Sequence, residues 1–531
     1  MKLARSHILI GITDESILHG AREVEDALRK ELKARGLENE VQIVETGDLG
    51  VTGRGVVIVV YPDRVTYAGV TVDDVPEIVE EHLVKGRPVR RLEVRVRHEG
   101  PAPKIGLAGK QPRIVLQNCG RINPDSLEEA IAAGAYQGVE KIISTGMTPR
   151  DVTLEVTRAC LRGRGGAGFP TGKKWSFTAP GEEKYLICNA DEGEPGTFKD
   201  RLILEGDPHR LIEGMIIAGY AIGAKKGYIY IRGEYALSIA RMQTAIDQAY
   251  AENLLGKNIL GSEITFDLEI KKGAGAYVCG EETALIESIE GRRGYPRLKP
   301  PFPGQAGLWG KPTVVNNVET IANVPPIIVN GADWYHSYGT KTCPGTKVFT
   351  VLGHVQHPGL IEVEMGTPLR TIIYEYAGGM RNGARFKGAL LGGAAGGFLG
   401  EEELDLPLDF DSLKEVGGVL GSGAILVLDE SDSVPELMRG ILRFFAHESC
   451  GQCTPCRVGT VKLVELMDRI AAGGTEADLQ LLVKLAETMQ KTSFCPLGQS
   501  PILPIRTAIS RFPDEFPTST IESKGSSVKV G

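Results

Sequence analysis

Four cysteines near the end of the chain place the tightest constraint on what it can fold into. Cys450, Cys453 and Cys456 are separated by two residues each, and Cys495 follows later and precedes a proline. Three thiolates at this spacing can hold three corners of a cuboidal 4Fe–4S cluster, and a distant fourth thiolate completes the set. Zinc also binds four thiolates, but its sites are usually built from two cysteine pairs. The spacing therefore favours a 4Fe–4S cluster over zinc, with these four cysteines as the predicted ligands.

The composition narrows the class of protein. A chain of 531 residues is too long for one hydrophobic core, so several domains are expected. The net charge of −8 excludes the basic footprint of a nucleic-acid-binding protein. No apolar run is long enough to span a bilayer and no signal-peptide core is present, which predicts a cytoplasmic chain without direct membrane insertion. The other cysteines are scattered and are interpreted as buried small hydrophobic residues: Cys119, Cys160, Cys188, Cys279 and Cys343.

Residues 1–95 have the pattern of a small α/β domain. Apolar runs of strand length alternate with segments whose apolar residues recur at helical spacing. The predicted elements are a strand over 7–10, a helix over 21–36, a buried strand over 56–61, a return strand over 65–67 and a closing helix over 75–84. This order is typical of a thioredoxin-like fold. A linker rich in Pro, Gly and Lys is expected over 96–112.

The rest of the chain predicts three more domains and a tail, so the fold class is multi-domain α/β. Residues 113–335 are the longest segment and the richest in glycine. Residues 336–430 contain short strands followed by a helix, which resembles a ubiquitin-like β-grasp domain. Residues 431–515 predict a helical bundle that carries the cysteine cluster. Residues 516–531 have little to bury and predict a flexible tail.

The glycine-rich segment 163–168 fits the G-x-G-x-x-G spacing of dinucleotide-binding loops, but its surroundings do not. Such a loop follows a strand and begins a helix. Here residues 148–161 predict a helix before the loop, and Pro170 prevents a helix from beginning at Phe169. The segment is interpreted as a long cationic loop whose backbone N–H groups and basic side chains can hold a phosphate. Phe169 and Phe177 beside it can stack on a ring.

The loop and its neighbours resemble a known family. Residues 162–175 are similar to the FMN- and NADH-binding loop of the flavoprotein subunit of respiratory complex I and its soluble relatives in NAD-linked hydrogenases and formate dehydrogenases. The resemblance extends over residues 113–511, with further motifs in the family's order at 188–201, 275–285, 296–303, 315–320 and 448–457. It implies a Rossmann-like α/β domain for FMN and NADH, and an FMN-dependent oxidoreductase of the NADH dehydrogenase, or diaphorase, type.

The resemblance also implies roles for individual residues. The FMN phosphate and ring would be held by Gly163, Arg164, Gly165, Gly166 and Lys174. The flavin would be lined by Asn189, Asp191, Glu192, Gly280 and Glu281, with Asn316 and Asn317 at its ribityl-phosphate side. The NADH would stack among Phe169, Phe177 and Phe302 and contact Glu194, Glu282 and Lys299. Glu194 and Lys299 are also consistent with ordinary exposed charges. Hydride transfer to a flavin requires no protein acid or base, so no catalytic residue is needed for that step. Glu192, expected near the ring, is the best candidate for tuning the flavin.

The N-terminal domain departs from the family's pattern. Many soluble relatives carry a thioredoxin-like domain whose four cysteines bind a 2Fe–2S cluster. Here those positions fall near Gly11 and Ser16 and on Asp48 and Thr52, and no cysteine precedes Cys119. None of these side chains replaces a thiolate, which predicts a folded domain without metal. Such a domain is either a docking surface for a partner subunit or a structural appendage, and its sizeable free surface favours docking.

These observations predict an electron-transfer subunit that exchanges a hydride between NAD(H) and FMN and single electrons with the 4Fe–4S cluster. The predicted partners are other redox subunits, including a thioredoxin-like 2Fe–2S subunit and a further iron–sulfur subunit. The fused N-terminal domain favours the diaphorase part of a soluble complex of hydrogenase, formate dehydrogenase or bifurcating type. The alternatives are the flavoprotein subunit of a membrane complex I and, from another class, a non-catalytic relay or assembly subunit. The intact glycine, asparagine and glutamate motifs argue against the non-catalytic alternative.

Overall fold

The computed structural model describes residues 6–38, 40–49, 51, 53–94 and 111–517. The linker predicted over 96–112 and the tail predicted over 516–531 lie outside these residues except at 111–112 and 516–517. The architecture is multi-domain α/β, as predicted, with three separate sheets and a helical C-terminal region. Over the described residues, no helix has both the length and the apolar character needed to cross a membrane.

The N-terminal domain is a four-stranded sheet in the order β2-β1-β3-β4. Its elements are β1 (Ser6–Gly11), α1 (Asp14–Leu18), α2 (Ala21–Ala34), β2 (Val41–Thr46), β3 (Val57–Tyr61), β4 (Val65–Ala68) and α3 (Val75–Glu77), which continues as a π-helix over Ile78–Val84. β1 pairs with β2 in parallel and with β3 antiparallel, which is the thioredoxin-like arrangement. β2 was not predicted, because an edge strand that alternates only in part, with Gln42 and Glu45 in it, lacks a clear apolar pattern.

The second domain is built on a parallel sheet in the order β7-β6-β5-β8. Its strands are β5 (Tyr185–Ala190), β6 (Lys226–Ile231), β7 (Asp267–Lys272) and β8 (Thr313–Asn317). Its helices are α4 (Leu127–Ala132), α5 (Gln137–Thr145), α6 (Pro149–Arg158), α7 (Thr171–Ser176), α8 (Lys199–Gly206), α9 (Pro208–Ile222), α10 (Ala236–Ala251), α11 (Glu282–Ile289), α12 (Pro303–Ala306), α13 (Val318–Ala322), α14 (Val324–Asn330) and α15 (Ala332–Tyr335). A parallel sheet covered by helices is Rossmann-like and places ligands at the carboxyl ends of its strands.

The third domain is a five-stranded mixed sheet in the order β10-β9-β13-β11-β12, as a β-grasp fold requires. Its elements are β9 (Thr346–Gly353), β10 (Gly359–Glu364), α16 (Leu369–Thr371) with a π-helical extension Ile372–Tyr376, β11 (Phe386–Leu391), β12 (Gly397–Leu399), α17 (Phe410–Glu415) and β13 (Ala424–Asp429). The buried Glu362 carboxylate of β10 accepts the backbone N–H groups of Ile114, Val115 and Leu116, so this domain is tied to the start of the second.

The C-terminal region is helical: α18 (Val434–Glu448), α19 (Thr454–Ala471), α20 (Glu476–Thr492), α21 (Pro496–Gln499) and α22 (Ile502–Arg511). Phe516, which the sequence assigned to the flexible tail, is 6% exposed and belongs to the core of this region. This deeply buried aromatic side chain extends the packed structure beyond the predicted limit. The sequence missed it because the composition of the tail does not reveal a single buried residue.

Candidate functional site

The parallel sheet brings two asparagine-containing motifs together. β5 pairs directly with β8, so Cys188 is opposite Asn316 and Asn189 is opposite Asn317 at the carboxyl end of both strands. Trp175 donates its indole N–H to the Asn316 side-chain oxygen at 2.9 Å, which fixes the amide orientation. The motifs quoted separately from the sequence therefore converge on one edge of the sheet, where α/β folds bind cofactors.

Asp191 lies just beyond this edge with one oxygen free. Asn189 accepts the Asp191 backbone N–H at 3.0 Å and donates to the Gly280 carbonyl at 2.8 Å, so a compact turn surrounds the carboxylate. The Asp191 Oδ2 atom is buried without a hydrogen-bond partner, and burial raises the pKa of this carboxyl to about 7. A buried polar atom without a partner is costly, and a flavin at this position would supply ring N–H groups. This chemistry fits the FMN that the sequence predicts here.

Glu192 occupies a different position from the one expected. Its two oxygens accept the backbone N–H groups of Asp200 and Arg201 at 2.9 and 3.0 Å, so it caps the first turn of α8. Burial raises the pKa of its carboxyl above the usual range. The carboxylate is therefore committed to a helix terminus, and the structure supports a structural role for Glu192 rather than direct contact with the ring.

The glycine-rich loop is a closed hairpin. No helix begins at Phe169, as the sequence context indicated. Gly163 donates to the Phe169 carbonyl at 2.9 Å, and α7 begins only at Thr171, after Pro170. A Cβ at Gly165 would lie 3.0 Å from the Asn317 Cβ, so a glycine is needed for the loop to approach the sheet edge. Gly166 has a φ of 138°, which also favours glycine.

Arg164 differs from the prediction that it holds phosphate with its side chain. The residue is 0% exposed. Its guanidinium donates to the carbonyls of Thr346, Arg162 and Pro344 and to the Tyr335 hydroxyl, at 3.0 to 3.2 Å. The side chain therefore anchors the loop to the β-grasp domain, and its backbone N–H donates to Thr320. The sequence pattern could not separate a basic side chain facing a ligand from one buried beneath it.

Four charged residues assigned to cofactor binding form one cluster. Lys174 contacts the Glu282 carboxylate at 3.0 Å, and Lys299 contacts Glu281 at 2.8 Å and Glu282 at 2.9 Å. Burial opposes ionisation of Glu282, but the two lysines outweigh it and lower the pKa of its carboxyl. Glu281 also caps α11 by accepting the N–H groups of Thr283 and Ala284. Lys299 is thus an exposed but ion-paired lysine, and its role in binding the nucleotide stays a prediction.

The three predicted stacking rings are each about half exposed. Phe169, Phe177 and Phe302 are 46%, 59% and 55% exposed. The Ala179 backbone N–H donates to the Gly304 carbonyl at 2.8 Å, which brings the segments of Phe177 and Phe302 side by side. Exposed aromatic side chains on neighbouring segments, as at Phe177 and Phe302, are typical of a surface that stacks on a planar ligand.

Glu194 connects the second domain to the β-grasp domain. Its carboxylate accepts the Tyr277 hydroxyl at 2.5 Å and the Ala395 backbone N–H at 3.0 Å. Burial raises the pKa of this carboxyl. A Cβ at Gly393 would lie 2.3 Å from the Glu194 side chain, so the glycine-rich segment after β11 is shaped around it. The alternative of an exposed loop charge is therefore wrong for Glu194.

The predicted cluster ligands lie together at the base of the helical region. Cys453 and Cys495 are the N-cap residues of α19 and α21, and the backbone N–H groups of Leu497 and Gly498 point at the Cys495 sulfur. Among the described residues, the one group of three or more His, Cys, Asp or Glu ligand atoms within 4.8 Å of one another is His354, Asp429 and Asp432. Burial and, after it, the neighbouring cysteines raise the pKa of the Cys456 and Cys495 thiols, so the four thiols share one site.

A short turn that the sequence analysis did not single out joins the two sites. The 3-10 turn Tyr277–Gly280 contacts Asn189 at one end, and at the other the Tyr277 backbone N–H donates to the Glu448 carboxylate at 3.1 Å. Glu448 is two residues before Cys450, and Tyr277 packs edge-on against Phe444 of α18. Both residues stand inside motifs quoted from the sequence, but only tertiary structure shows that the motifs touch.

Gly11, Ser16 and Asp48, which stand at or near the positions of the cluster cysteines in soluble relatives, lie beside α8 of the second domain. The Ser16 hydroxyl donates to the Gly11 carbonyl at 2.8 Å and accepts the Thr13 N–H, so it serves as part of the α1 cap. A cavity of about 20 Å³ remains among Gly11, Ser16, Asp48 and Leu49, closed by Arg201 and Leu202 of α8. A space of this size holds about one water molecule. Thr52 lies outside the described residues.

The fold and the site define an electron-transfer flavoprotein subunit with an iron–sulfur region. Three family models match: the Nuo51 FMN-binding domain over residues 156–326, the SLBB domain over 348–399, and the NADH-ubiquinone oxidoreductase-F iron-sulfur binding region over 436–519. The chain belongs to the family that comprises the F subunits of NADH-quinone oxidoreductases and their hydrogenase counterparts. It is an FMN-dependent oxidoreductase of the NADH dehydrogenase type with a 4Fe–4S cluster.

Individual relatives support this assignment. The NADP-reducing hydrogenase subunit HndC of Solidesulfovibrio fructosivorans is 50% identical over 418 residues, which is 78% of this chain and 85% of that protein. The NADH-quinone oxidoreductase F subunit of Aquifex aeolicus is 49% identical over 406 residues, 76% of this chain and 93% of that protein. A crystal structure of an air-oxidised NAD+-reducing NiFe-hydrogenase aligns with a TM-score of 0.67 and 33% identity, covering 98% of this chain and 87% of the other.

Proposed function

We propose that FMN binds at the carboxyl edge of β5 and β8, between the glycine-rich loop and the Tyr277–Gly280 turn. When bound, FMN exchanges a hydride with NAD(H) and single electrons with the 4Fe–4S cluster. The backbone N–H groups of Gly165 and Gly166 and the side-chain N–H of Asn316 hold its phosphate end. The N–H groups of Gly163, Arg164 and the Asn317 amide already donate within the protein and shape the loop and the sheet edge around it. Asn189 and Asp191 orient its ring edge, and the loop and turn exclude water from it.

NAD(H) binds on the exposed side of the same pocket. The rings of Phe169, Phe177 and Phe302 stack on the adenine, and these side chains are free to do so because they are about half exposed. The Glu281–Glu282 carboxylates accept ribose hydroxyl groups, while Lys174 and Lys299 hold those carboxylates in place. The nicotinamide end then lies toward Glu194 and Tyr277.

The observation that carries this function is the turn between the two cofactor regions. Tyr277–Gly280 touches Asn189 of the proposed flavin pocket and Glu448 of the cysteine loop, so one short segment separates the two redox sites. A non-catalytic relay subunit would have no reason to retain the pocket, the turn and the cluster together.

We further propose that the chain is the diaphorase part of a cytoplasmic redox complex of hydrogenase, formate dehydrogenase or bifurcating type, with the flavoprotein subunit of a membrane complex I as the alternative. The hydrogenase subunit and the hydrogenase structure among its relatives favour the first. The domain limits we propose are 1–95, 113–335, 336–430 and 431–515. Partner subunits carrying a thioredoxin-like 2Fe–2S domain and further iron–sulfur centres complete the complex.

The experiment is a cofactor and activity measurement on the purified chain. Flavin and iron analysis should give one FMN and about four irons per chain, as one cuboidal cluster requires. NADH–ferricyanide activity should depend on the flavin. A chain with cluster but no flavin and no such activity would instead support the non-catalytic alternative. About six irons per chain would show that the N-terminal domain holds a cluster after all.

A further inference from the structure

A buried charge cluster lies beneath the glycine-rich loop, formed by Arg164, Lys199, Asp200, Glu319 and Lys347. All five residues are 3% exposed or less. Lys347 of β9 and Lys199 of α8 contact the same Glu319 oxygen, at 2.6 and 3.1 Å, and Lys199 contacts Asp200 at 2.6 Å. The second Glu319 oxygen accepts the Val348 N–H at 2.8 Å. The cluster therefore connects the β-grasp domain to the second domain through charge.

The charges in this cluster do not balance. Arg164, Lys199 and Lys347 are cations, whereas Asp200 and Glu319 are the anions, which leaves one surplus positive charge. Arg164 accounts for it, because its guanidinium bonds only to carbonyl and hydroxyl oxygens. The nearby Glu192 carboxylate is held by the backbone N–H groups of Asp200 and Arg201 and forms no salt bridge within the cluster, although its charge acts on Lys199. Because a buried cation is costly without a counter-charge, a further anion beside these cations would be stabilised.

The surplus charge lies next to the proposed phosphate end of the pocket. The Asn317 amide donates to Asp200 at 2.6 Å, and Gly165 of the loop approaches the same asparagine. The Arg164 backbone N–H donates to Thr320 at 2.8 Å, so the loop rests directly on the helix that carries Glu319. A Cβ at Gly423 would lie 2.8 Å from the Lys347 Nζ atom, so the β-grasp backbone leaves room for this lysine.

We propose that this charge cluster is the counter-charge of the FMN phosphate, and that Lys347 of the β-grasp domain thereby sets the preference of the pocket for FMN over riboflavin. This inference rests on the proposed FMN site and assigns a ligand-selecting role to a residue outside the flavin domain. Lys347 acts through the field of the cluster and without touching the cofactor. The FMN phosphate is charged and responds to this field. The ring and ribityl chain, which riboflavin also has, are uncharged and do not.

The test compares two flavins on the flavin-depleted full-length chain. Kd values for FMN and riboflavin are measured at pH 7 and low salt from quenching of flavin fluorescence. Lys347→Met removes the surplus charge and should weaken FMN by about tenfold or more but riboflavin by less than about threefold. Adding Glu319→Gln to this variant returns the surplus charge and should restore the FMN-to-riboflavin ratio. Lys414→Met, at an exposed lysine of the same domain, is the matched control.

A structural role for Lys347 would change both flavins equally, and that result would overturn the inference. The inference would also be overturned if the double variant discriminates between FMN and riboflavin no better than Lys347→Met alone. If Lys347→Met does not fold, Lys347→Gln is measured in its place and should lower the ratio of FMN affinity to riboflavin affinity; an unchanged ratio contradicts the proposal. Failure of the unmodified chain to bind FMN would instead refute the proposed function.

Discussion

The backbone N–H of Tyr277 donates to the carboxylate of Glu448 at 3.1 Å. This bond joins the turn at the proposed flavin pocket to the loop that begins two residues later with Cys450. Electron transfer slows steeply as the two redox centres separate, so a contact that fixes their spacing is expected to matter for rate. Neither motif by itself predicts this hydrogen bond, because it forms only when α18 packs against the second domain.

Glu448→Ala should slow reduction of the 4Fe–4S cluster by NADH by about tenfold, since losing one anchor of the turn allows it to relax. Rapid mixing with NADH, followed by the cluster's absorption or EPR signal, measures the rate. Glu448→Gln keeps an oxygen acceptor for the Tyr277 N–H and should retain most of the rate. Equal slowing in both variants would show that charge, rather than position, is what Glu448 contributes.

Cys495→Ser should remove the 4Fe–4S cluster while FMN stays bound, because the flavin pocket is formed by other domains. Iron analysis and flavin content measure the outcome. Cys160→Ser is the matched control, since this thiol is exposed and the sequence expectation that it is buried was wrong. Cys343 is less suitable, because it contacts the Arg162 guanidinium of the glycine-rich loop at 3.3 Å. A full complement of iron in Cys495→Ser would mean that the ligand set is wrong.

Glu282→Ala should shift nucleotide preference toward NADPH. The substitution removes a carboxylate that repels a 2′-phosphate, frees Lys174, and leaves Lys299 paired with Glu281 alone. The ratio of kcat/KM for NADH over NADPH should narrow by about tenfold or more, the effect of ~1.4 kcal/mol. Steady-state kinetics with both nucleotides decide it, with Glu182→Ala at an exposed position as control. An unchanged ratio places the adenine ribose elsewhere.

Asp191 makes the stability of the flavin-free chain depend on pH. Burial raises the pKa of its carboxyl from 3.8 to about 7, so the unfolded state loses this proton first as pH rises. The free energy of unfolding therefore falls between about pH 4 and pH 7. Asp191→Asn escapes this loss, so its Tm advantage over the unmodified chain should be larger at pH 8 than at pH 5. Asp73→Asn, at an exposed aspartate, should show no such trend.

Deleting residues 1–95 should spare FMN, cluster and NADH–ferricyanide activity but weaken recovery of partner subunits in a pull-down. The N-terminal domain docks by the Ile12 carbonyl, which accepts from Arg241 at 3.0 Å, and by Gly47 against Gly206. Deletion exposes Arg241 to water, which hydrates its charge, so the second domain should still fold. Unchanged recovery of partners would leave the domain as a structural appendage.

Much of the fold and part of the site could be predicted from sequence for local reasons. The helix before the glycine-rich loop was correct, because its Thr148 N-cap and Pro149 are local signals. The strands β9 and β10 agree with the short strands expected within residues 336–430, because both are rich in the β-branched and aromatic residues that favour strands. The spacing of Cys450, Cys453 and Cys456 indicated the cluster, because three ligands on one short loop can be recognised without knowledge of distant contacts.

The sequence by itself determined the domain order, the cofactor class and the four candidate cluster ligands, because motif spacing and apolar periodicity are properties of neighbouring residues. Only the tertiary structure decided which way individual side chains point. Arg164 and Glu192 stand in cofactor motifs, yet one anchors the β-grasp domain and the other caps α8. Lys347 lies in a strand with no ligand signal and is buried against Glu319. Burial and charge pairing depend on what packs from other domains, and that information is not local to any motif.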